Sequence, residues 1–450
     1  MARFNSARLV KRLLFAASVF TAGGATAQDL DARFDDGSVF IAEPDFSAVR
    51  DAAQSFPLIA SEELGEGGLG IMSPSALGGS APARSWRVLP HWENSVLYDD
   101  NIFIAERDPE RDVILRLSPG LAVGYGDCAE WGQRRAYDSF TGPFLALGVG
   151  SAWFADYTAG FLFFPEHPDQ DGVDQDFRTA ARWSLARLTL GAEVLAESKN
   201  ETNADIGGRL RRKGFTAGVN ARYGLTEKSS LDLGVFSSQQ DRADFVGSRE
   251  SAVSAYLTWA YSPLTSVAPG IVLGRVDLSE GLDQRYLRNL VRLRYEWSEK
   301  TRFELVGGVE MRSADGSYSN QTNAILQMFL DYQWSPKTAL RFEAHQRVET
   351  SALDTEETYT LSGCSLGLRH QLTERWGLVL GGLVDSADYL PVARDAQRED
   401  LYGALRGGVF YGLGGWGMVD FSYQWRRNNS TLRGSSFSGN QVELRWALTF

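Results

Sequence analysis

Charged side chains recur at alternate positions in three segments of the C-terminal half of this 450-residue chain. The set comprises Arg288, Arg292, Arg294, Glu296, Arg302, Glu304, Glu310, Arg341, Glu343, His345 and Arg347. Charged rings set the selectivity of pores, so a lumen wall rich in arginine would favour anions and anionic sugars. The glutamates interleave with the arginines and cancel much of that field locally. The alternative is therefore a set of structural ion pairs that braces an interior.

The sequence contains no constellation typical of an enzyme or of a metal centre. Its four histidines, His91, His167, His345 and His370, include no pair at metal-ligand spacing, and no Gly-rich phosphate loop is present. A lipase would need a serine and a histidine on the lipid face. His345 instead lies on the same strand face as the charged set, which is the face opposite to the apolar one. The Asp-Asp-Asn run at 99–101 fits an Asx-rich turn better than a Ca²⁺ site. We predict no enzymatic activity, no cofactor and no metal ion.

The positions between the charged residues are apolar, which indicates strands with two unlike faces. Leu287, Val291 and Leu293 lie on the parity opposite to that of Arg288 and Arg294. Side chains of a strand point alternately to opposite faces, whereas a helix would turn Arg294 away from Arg288. Segments 302–312 and 340–349 repeat this alternation. The period of two therefore predicts β-structure.

Turn signals divide the chain at regular intervals. Short turns recur about every 37 residues, which is the length of a full hairpin together with its return connection. They lie at 225–228, 262–265, 298–301, 335–338 and 372–375. Longer polar segments alternate with them at 199–208, 241–249, 313–320, 385–398 and 428–439. Short turns at one end and longer loops at the other are the asymmetry of outer-membrane barrels.

Three features favour a membrane barrel over a soluble sandwich. The strands are long enough to cross a bilayer, which takes roughly 9–11 residues. Aromatic residues gather on the apolar face near strand ends, where membrane interfaces would lie; they are Tyr295, Trp297, Tyr332, Trp334, Tyr423 and Trp425. Charges of both signs on the polar face suit a wet lumen. We predict an all-β fold, a transmembrane antiparallel β-barrel of about 18 strands.

The two ends of the chain indicate export. Basic residues, a short apolar run and the Ala-Thr-Ala site at 25–27 predict a signal peptide over 1–27. Residues 28–84 are rich in Gly, Ser, Ala and acidic residues, and we predict a loosely ordered periplasmic extension. The barrel is predicted to span 85–450. Its last segment alternates apolar residues and ends on Phe450, which resembles the insertion signal of bacterial outer-membrane proteins.

Composition limits the classes of partner. The formal net charge of −12 argues against nucleic acid, because phosphate binding needs clustered Lys and Arg. Aromatic residues make up 12% of the chain, which suits two aromatic girdles. No segment after the signal peptide has about 18 uninterrupted apolar residues, so a membrane would be crossed by strands. The two cysteines, Cys128 and Cys364, are predicted to be unpaired.

One more pattern lies at the start of the predicted barrel. It consists of Leu-Tyr-Asp-Asp-Asn-Ile-Phe at 97–103, Asp-Val-Ile-Leu at 112–115 and Leu-Ser-Pro-Gly-Leu at 117–121. With the segment 207–234 and the serial turns, it resembles a family of β-barrel porins associated with exopolysaccharide operons, over 85–450. The resemblance implies an outer-membrane barrel that serves polysaccharide export. Residues 85–450 lack the helical repeats that some polysaccharide exporters carry.

Two classes of function follow. The first is a porin-like channel in the bacterial outer membrane, for small hydrophilic solutes or for exopolysaccharide export. The second is a non-conducting structural or assembly-associated barrel. Either class predicts outer-membrane lipids and the barrel assembly machinery as partners, and a channel adds small solutes or polysaccharide.

Overall fold

The computed structural model describes residues 86–126, 137–138, 142–143, 152–298, 300–314, 321–353, 356–391, 398–413 and 417–449. The predicted signal peptide, the predicted N-terminal extension and Phe450 lie outside these residues, as does Cys128. Cys364 is a free thiol. Among the described residues, no helix is both long and apolar enough to cross a bilayer.

Eighteen antiparallel strands form one closed sheet, since β1 pairs with both β2 and β20. The strands are β1 (Trp86–Asp99), β2 (Asp112–Gly126), β5 (Ala152–Phe163), β6 (Gly172–Ser184), β7 (Leu188–Asn203), β8 (Gly208–Gly224), β9 (Ser229–Arg242), β10 (Ser248–Ser262), β11 (Thr265–Leu278), β12 (Gln284–Ser298), β13 (Thr301–Ala314), β14 (Gln321–Ser335), β15 (Thr338–Thr350), β16 (Glu356–Gln371), β17 (Trp376–Pro391), β18 (Glu399–Gly412), β19 (Gly417–Ser430) and β20 (Phe437–Thr449). The predicted all-β barrel and its strand number are confirmed.

Two very short strands, β3 (Tyr137–Asp138) and β4 (Gly142–Pro143), pair with each other outside the barrel sheet. Of these two, β4 is followed along the chain by the barrel strand β5. A 3-10 turn, Pro168–Gln170, lies between β5 and β6.

The wall of the barrel is apolar outside and polar inside. On β10, the outward side chains of Val253 and Trp259 are 47% and 56% exposed, whereas the inward Tyr256 is 1% exposed. The inner face of the wall carries most of the buried charged side chains, such as Arg288 and Glu310. A soluble sandwich hides its apolar face and exposes its polar face. This barrel has the reverse arrangement.

Aromatic rings collect on the outer face at the end where the short turns lie, which we call the turn end. Neighbouring ring centroids lie 4.8–6.1 Å apart in the pairs Trp86–Tyr125, Trp86–Trp153, Trp259–Tyr261, Tyr295–Trp297 and Trp376–Tyr411. Trp334 belongs to the same band and is 65% exposed. Trp425 lies in the half of β19 nearer the other end, which we call the loop end.

The short turns are built by hydroxyl side chains that bind backbone N–H groups. Thr226 Oγ1 accepts hydrogen bonds from the backbone N–H groups of Lys228 and Ser229, at 3.2 and 3.0 Å. Thr373 Oγ1 accepts one from Trp376, at 3.0 Å. Such local contacts stabilise tight turns, which explains why the turns were visible in the sequence.

The connections at the loop end are shorter than predicted. Segment 199–208 was predicted to be a loop, yet β7 continues to Asn203 and β8 begins at Gly208. Segment 385–398 was also predicted to be a loop, yet β17 continues to Pro391. Strands near this end carry polar side chains on both faces, so their alternation disappears from the sequence.

Two lumenal tyrosines lie flat against the wall over glycines. Tyr256 covers Gly270 and Tyr286 covers Gly274, and each glycine is the cross-strand partner of its ring-bearing residue. A Cβ atom at either glycine would overlap the ring. Covering a strand glycine with a ring from the neighbouring strand is a recognised device in curved sheets.

Candidate functional site

The lumen is the candidate site, and the charged set predicted from the sequence faces it. The register of β12 and β13 places Arg288 opposite Glu310, Arg294 opposite Glu304, and Glu296 opposite Arg302. Arg288 Nε lies 2.7 Å from Glu310 Oε2. Arg294 Nη2 lies 3.1 Å from Glu296 Oε1, and Arg294 Nε lies 3.7 Å from Glu304 Oε1. Alternation along each strand and register across strands together bring opposite charges into contact.

The remaining members of the set also have neighbours that balance or cover them. Arg341 Nε lies 2.6 Å from Asp331 Oδ1, Arg347 pairs with Glu349, and His345 Nε2 lies 3.3 Å from Asp385 Oδ1. Arg292 lies over the ring of Tyr256, 3.5 Å from its centroid. Glu343 is buried in the same wall, and Arg302 lies between Glu296 and Asp331 in the strand register.

Exposure divides this set in two. The side chains of Arg288 and Glu310 are only 5% and 0% exposed. Those of Arg294 and Glu304, nearer the turn end, are 44% and 43% exposed. Only the second pair presents its charge to the space inside the barrel.

A second sector of the lumen was not singled out in the sequence. It surrounds a cavity of about 140 Å³ that opens to solvent. The charged lining residues are Glu93, Asp99, Asp174, Glu201, Glu443, Arg116, Lys199, Arg209, Arg406 and Arg426. Acidic and basic groups are equally represented, so the lining has no net formal charge.

The β7–β8 hairpin leaves the barrel wall above this cavity. Pairing between β6 and β7 ends at Gln175 and Ser198, and pairing between β8 and β9 begins at Arg212 and Arg242. In between, residues 199–203 and 208–211 pair only with each other. We call residues 199–211 the inserted hairpin. Its tip is buried, with Ala204 at 0% and Asp205 at 2% exposure.

The tip of the inserted hairpin docks on the opposite side of the barrel. Ser351 Oγ donates to the Asp205 carboxylate at 3.1 Å, and the backbone N–H of Ala352 donates to it at 2.6 Å. Arg398 donates to the backbone carbonyls of Asp205 and Ala204, at 2.8 and 3.2 Å. Ser351 and Ala352 follow β15 and Arg398 precedes β18, so these contacts cross the mouth of the barrel. Charge-assisted hydrogen bonds among buried groups are strong.

The β1–β2 connection also folds into this mouth. Ile102 and Ile104 are fully buried, and Ile104 packs with Tyr359 and Leu361 of β16. Arg426 donates to the Asp99 carboxylate at 2.6 Å and to the carbonyl of Asn101 at 2.9 Å.

These contacts use the oxygen atoms of the Asp-Asp-Asn run at 99–101. The Asp100 carboxylate accepts hydrogen bonds from the backbone and the side chain of Asn440, at 2.6 and 2.7 Å. The arrangement is that of a turn. Within the described ranges, no group of three or more His, Cys, Asp or Glu side chains could hold a metal ion.

A histidine joins two connections at the loop end. His167 follows β5, and its ring nitrogens lie 3.0 Å from Asp112 Oδ2 and 2.8 Å from Glu110 Oε2. Hydrogen bonds to the carboxylates of Asp112 and Glu110 raise the pKa of His167 above its ordinary value. The His167 ring therefore links the β5–β6 connection to the β1–β2 connection through both carboxylates.

Comparison with known proteins finds likeness in solved structures alone. No protein-family model matches the chain, and no curated protein matches it. OccAB4 of Acinetobacter baumannii is 9% identical with a TM-score of 0.46, over 82% of this chain and 100% of the other. OccK3 (OpdO) of Pseudomonas aeruginosa is 11% identical with a TM-score of 0.43, over 81% and 96%. A bacterial polysaccharide outer membrane secretin is 10% identical with a TM-score of 0.33, over 81% and 97%. None of these similarities assigns a solute to this chain.

Proposed function

We propose that the chain is a channel of the bacterial outer membrane for small hydrophilic solutes. The observation that carries the proposal is the reversed polarity of the closed wall. An exposed apolar face bounded by aromatic residues suits lipid, and an ion-paired inner face suits water. The proposal includes a signal peptide over 1–27 that is removed on export, and contacts with outer-membrane lipids and the barrel assembly machinery, with Phe450 as the insertion signal. We assign no enzymatic role.

The proposal places the loop end outside the cell. In that orientation the short turns face the periplasm, as in outer-membrane barrels generally. The inserted hairpin then lies across the outer mouth, with Asp205 bound to Ser351 and Arg398. Conduction would require this hairpin to move. A polymer would need a continuous path through the same mouth, so the geometry favours small solutes over exopolysaccharide.

The exposed charges near the turn end are the candidate selectivity determinants. Arg294 and Glu304 present their charges to the lumen, whereas Arg288 is buried against Glu310. We expect Arg294→Glu to shift the reversal potential toward cations, because it replaces an accessible positive charge. The matched variant Arg288→Gln should leave the reversal potential unchanged.

A non-conducting structural barrel is the second candidate. The buried contacts of Asp205 across the mouth favour it. Planar-bilayer recording separates the two candidates, using the refolded mature chain with and without residues 28–84. Step currents from either protein would support a channel, and currents only after truncation would identify residues 28–84 as a plug. Silence from both, with folding verified by heat-modifiable gel mobility, would refute conduction.

Location can be tested independently of current. We expect the protein expressed in a Gram-negative host to fractionate with the outer membrane, and its mature N-terminus to lie near Gln28. Recovery of uncleaved protein in the inner membrane or in the cytosol would contradict the proposal.

A further inference from the structure

The arginines that line the cavity differ in how well their charges are neutralised. Arg426 Nη2 lies 2.6 Å from Asp99, and Arg406 Nη2 lies 3.2 Å from Glu443. Arg209 has no such partner: within the described part of the chain, no carboxylate oxygen lies within 4.0 Å of its guanidinium. Among the described residues, Asp99, Asp174 and Glu201 act on this cation only from beyond 4.0 Å.

The contacts of Arg209 with described residues hold its guanidinium in place and use only part of its donors. Nε donates to the carbonyl of Ile102 at 3.2 Å, and Nη1 donates to the carbonyl of Asn200 at 3.0 Å. The guanidinium lies over the ring of Phe164, 5.1 Å from its centroid. A guanidinium has five N–H donors, and Nη2 makes no hydrogen bond to any described residue. The group is thus oriented by two neutral carbonyls and a ring, and it lines the cavity.

A second loosely paired arginine lies on the same side of the cavity. Arg116 is opposite Leu162 in the strand register, and Phe164 occupies the next inward position, about 7 Å further along. Arg116 Nη2 lies 3.6 Å from Asp174 Oδ2, longer than a charge-assisted hydrogen bond. The two guanidinium groups therefore flank a short apolar floor formed by Leu162 and Phe164.

We propose that Arg209 is the binding group for a small oxyanion, a carboxylate or a phosphate, that enters the cavity from the lumen. The planar guanidinium matches the geometry of these anions. Arg116 adds positive potential, and the apolar floor accommodates a short apolar substituent. This inference deepens the proposed function by naming a class of solute, but binding does not depend on conduction.

Isothermal titration calorimetry of the refolded mature protein in detergent tests the site. The probes are inorganic phosphate and, separately, acetate, at constant ionic strength. We expect phosphate, acetate or both to bind the wild type, and Arg209→Gln to weaken binding by about tenfold or more, because one charged hydrogen-bonding group is lost. The two titrations distinguish a phosphate site from a carboxylate site.

The matched control is Arg211→Gln. Arg211 lies on the same strand of the inserted hairpin but is exposed and does not line the cavity. It should bind the probe as the wild type does. Equal binding by Arg209→Gln and the wild type, or no binding of either probe by the folded wild type, would overturn the proposal.

A second variant keeps the site testable if Arg209→Gln does not fold. Arg209→Lys keeps the charge but loses the planar fork, so we expect intermediate binding. If folded Arg209→Lys binds the probe as tightly as the wild type does, the anion is not recognised through the planar shape of the guanidinium. Calorimetry measures binding independently of current. A folded protein that binds phosphate but carries no current would refute the channel and leave this site intact. A conducting protein that binds neither phosphate nor acetate would refute this site and leave the channel intact.

Discussion

Charged side chains are arranged differently in two sectors of the lumen wall, strands β12–β15 and the lining of the cavity. On β12–β15, opposite charges occupy adjacent or cross-strand positions, as with Arg288 Nε at 2.7 Å from Glu310 Oε2. Around the cavity, charges come from distant strands and from the inserted hairpin, and their distances vary, from 2.6 Å between Arg426 and Asp99 to 3.6 Å between Arg116 and Asp174. Strand register places the side chains of neighbouring strands opposite each other in the wall. The inserted hairpin leaves the wall, so the register does not determine which side chains its charges meet. The first sector braces the barrel, and the second contains the cavity.

The largest expected effect comes from releasing the inserted hairpin. Asp205→Asn removes the charge that accepts hydrogen bonds from Ser351, Ala352 and Arg398. Buried charge-assisted hydrogen bonds contribute roughly 1.5–3 kcal/mol each, so we expect the open probability in planar bilayers to rise by tenfold or more.

Glu280→Gln, at an exposed position in another loop-end connection, is the control and should behave as the wild type. A folded Asp205→Asn protein with wild-type open probability would mean that the contacts of Asp205 do not close the mouth.

The next effect separates buried from exposed pairs within the first sector. Arg288→Met leaves the buried Glu310 with Arg312 as its remaining partner. We expect a loss of about 2–3 kcal/mol in the free energy of unfolding, measured by urea titration in lipid vesicles. Arg294→Met should cost less than about 1 kcal/mol, because its pairs are exposed to solvent. Equal losses would show that burial does not distinguish these pairs.

A third prediction concerns the rings that lie on glycines. Gly274→Ala places a Cβ atom where the ring of Tyr286 lies, so the ring must move away from Glu250, whose carboxylate binds its hydroxyl. We expect a destabilisation of about 1–3 kcal/mol. Gly208→Ala is the matched control, since a Cβ atom there meets nothing within 4 Å, and it should stay within about 0.5 kcal/mol of the wild type. A neutral Gly274→Ala would mean that the ring is not confined.

The smallest effect is the pH dependence of the His167 contact. Because Asp112 and Glu110 raise the pKa of His167, its stabilisation is complete below the unfolded value of about 6.5. It is lost as the pH rises through the higher folded pKa. The urea midpoint of the wild type should therefore exceed that of His167→Gln more at about pH 6 than at about pH 9. A difference that is constant with pH would contradict a charged contact.

The alternation of residues determined most of the fold and part of the site. Leu287, Val291 and Leu293 against Arg288 and Arg294 already indicate a strand with two faces, because side chains of a strand alternate locally. The turns at 225–228 and 372–375 were equally visible, since Thr226 and Thr373 bind backbone groups two or three residues away. These features depend on neighbours in the chain, so the sequence contains them directly.

The closure of the mouth and the cavity were decided by the tertiary structure alone. Residues 199–208 are polar on both faces and were predicted to be a loop, but they form most of a hairpin that crosses the lumen. Arg398 and Asp205 are 193 positions apart, and no local pattern marks either one. Their contact exists only after 18 strands have closed into a ring of fixed circumference, which sets what lies opposite the hairpin. For the same reason, the pairing of each lumenal arginine, and the lack of a carboxylate at Arg209 within the described ranges, could be known only from the folded barrel.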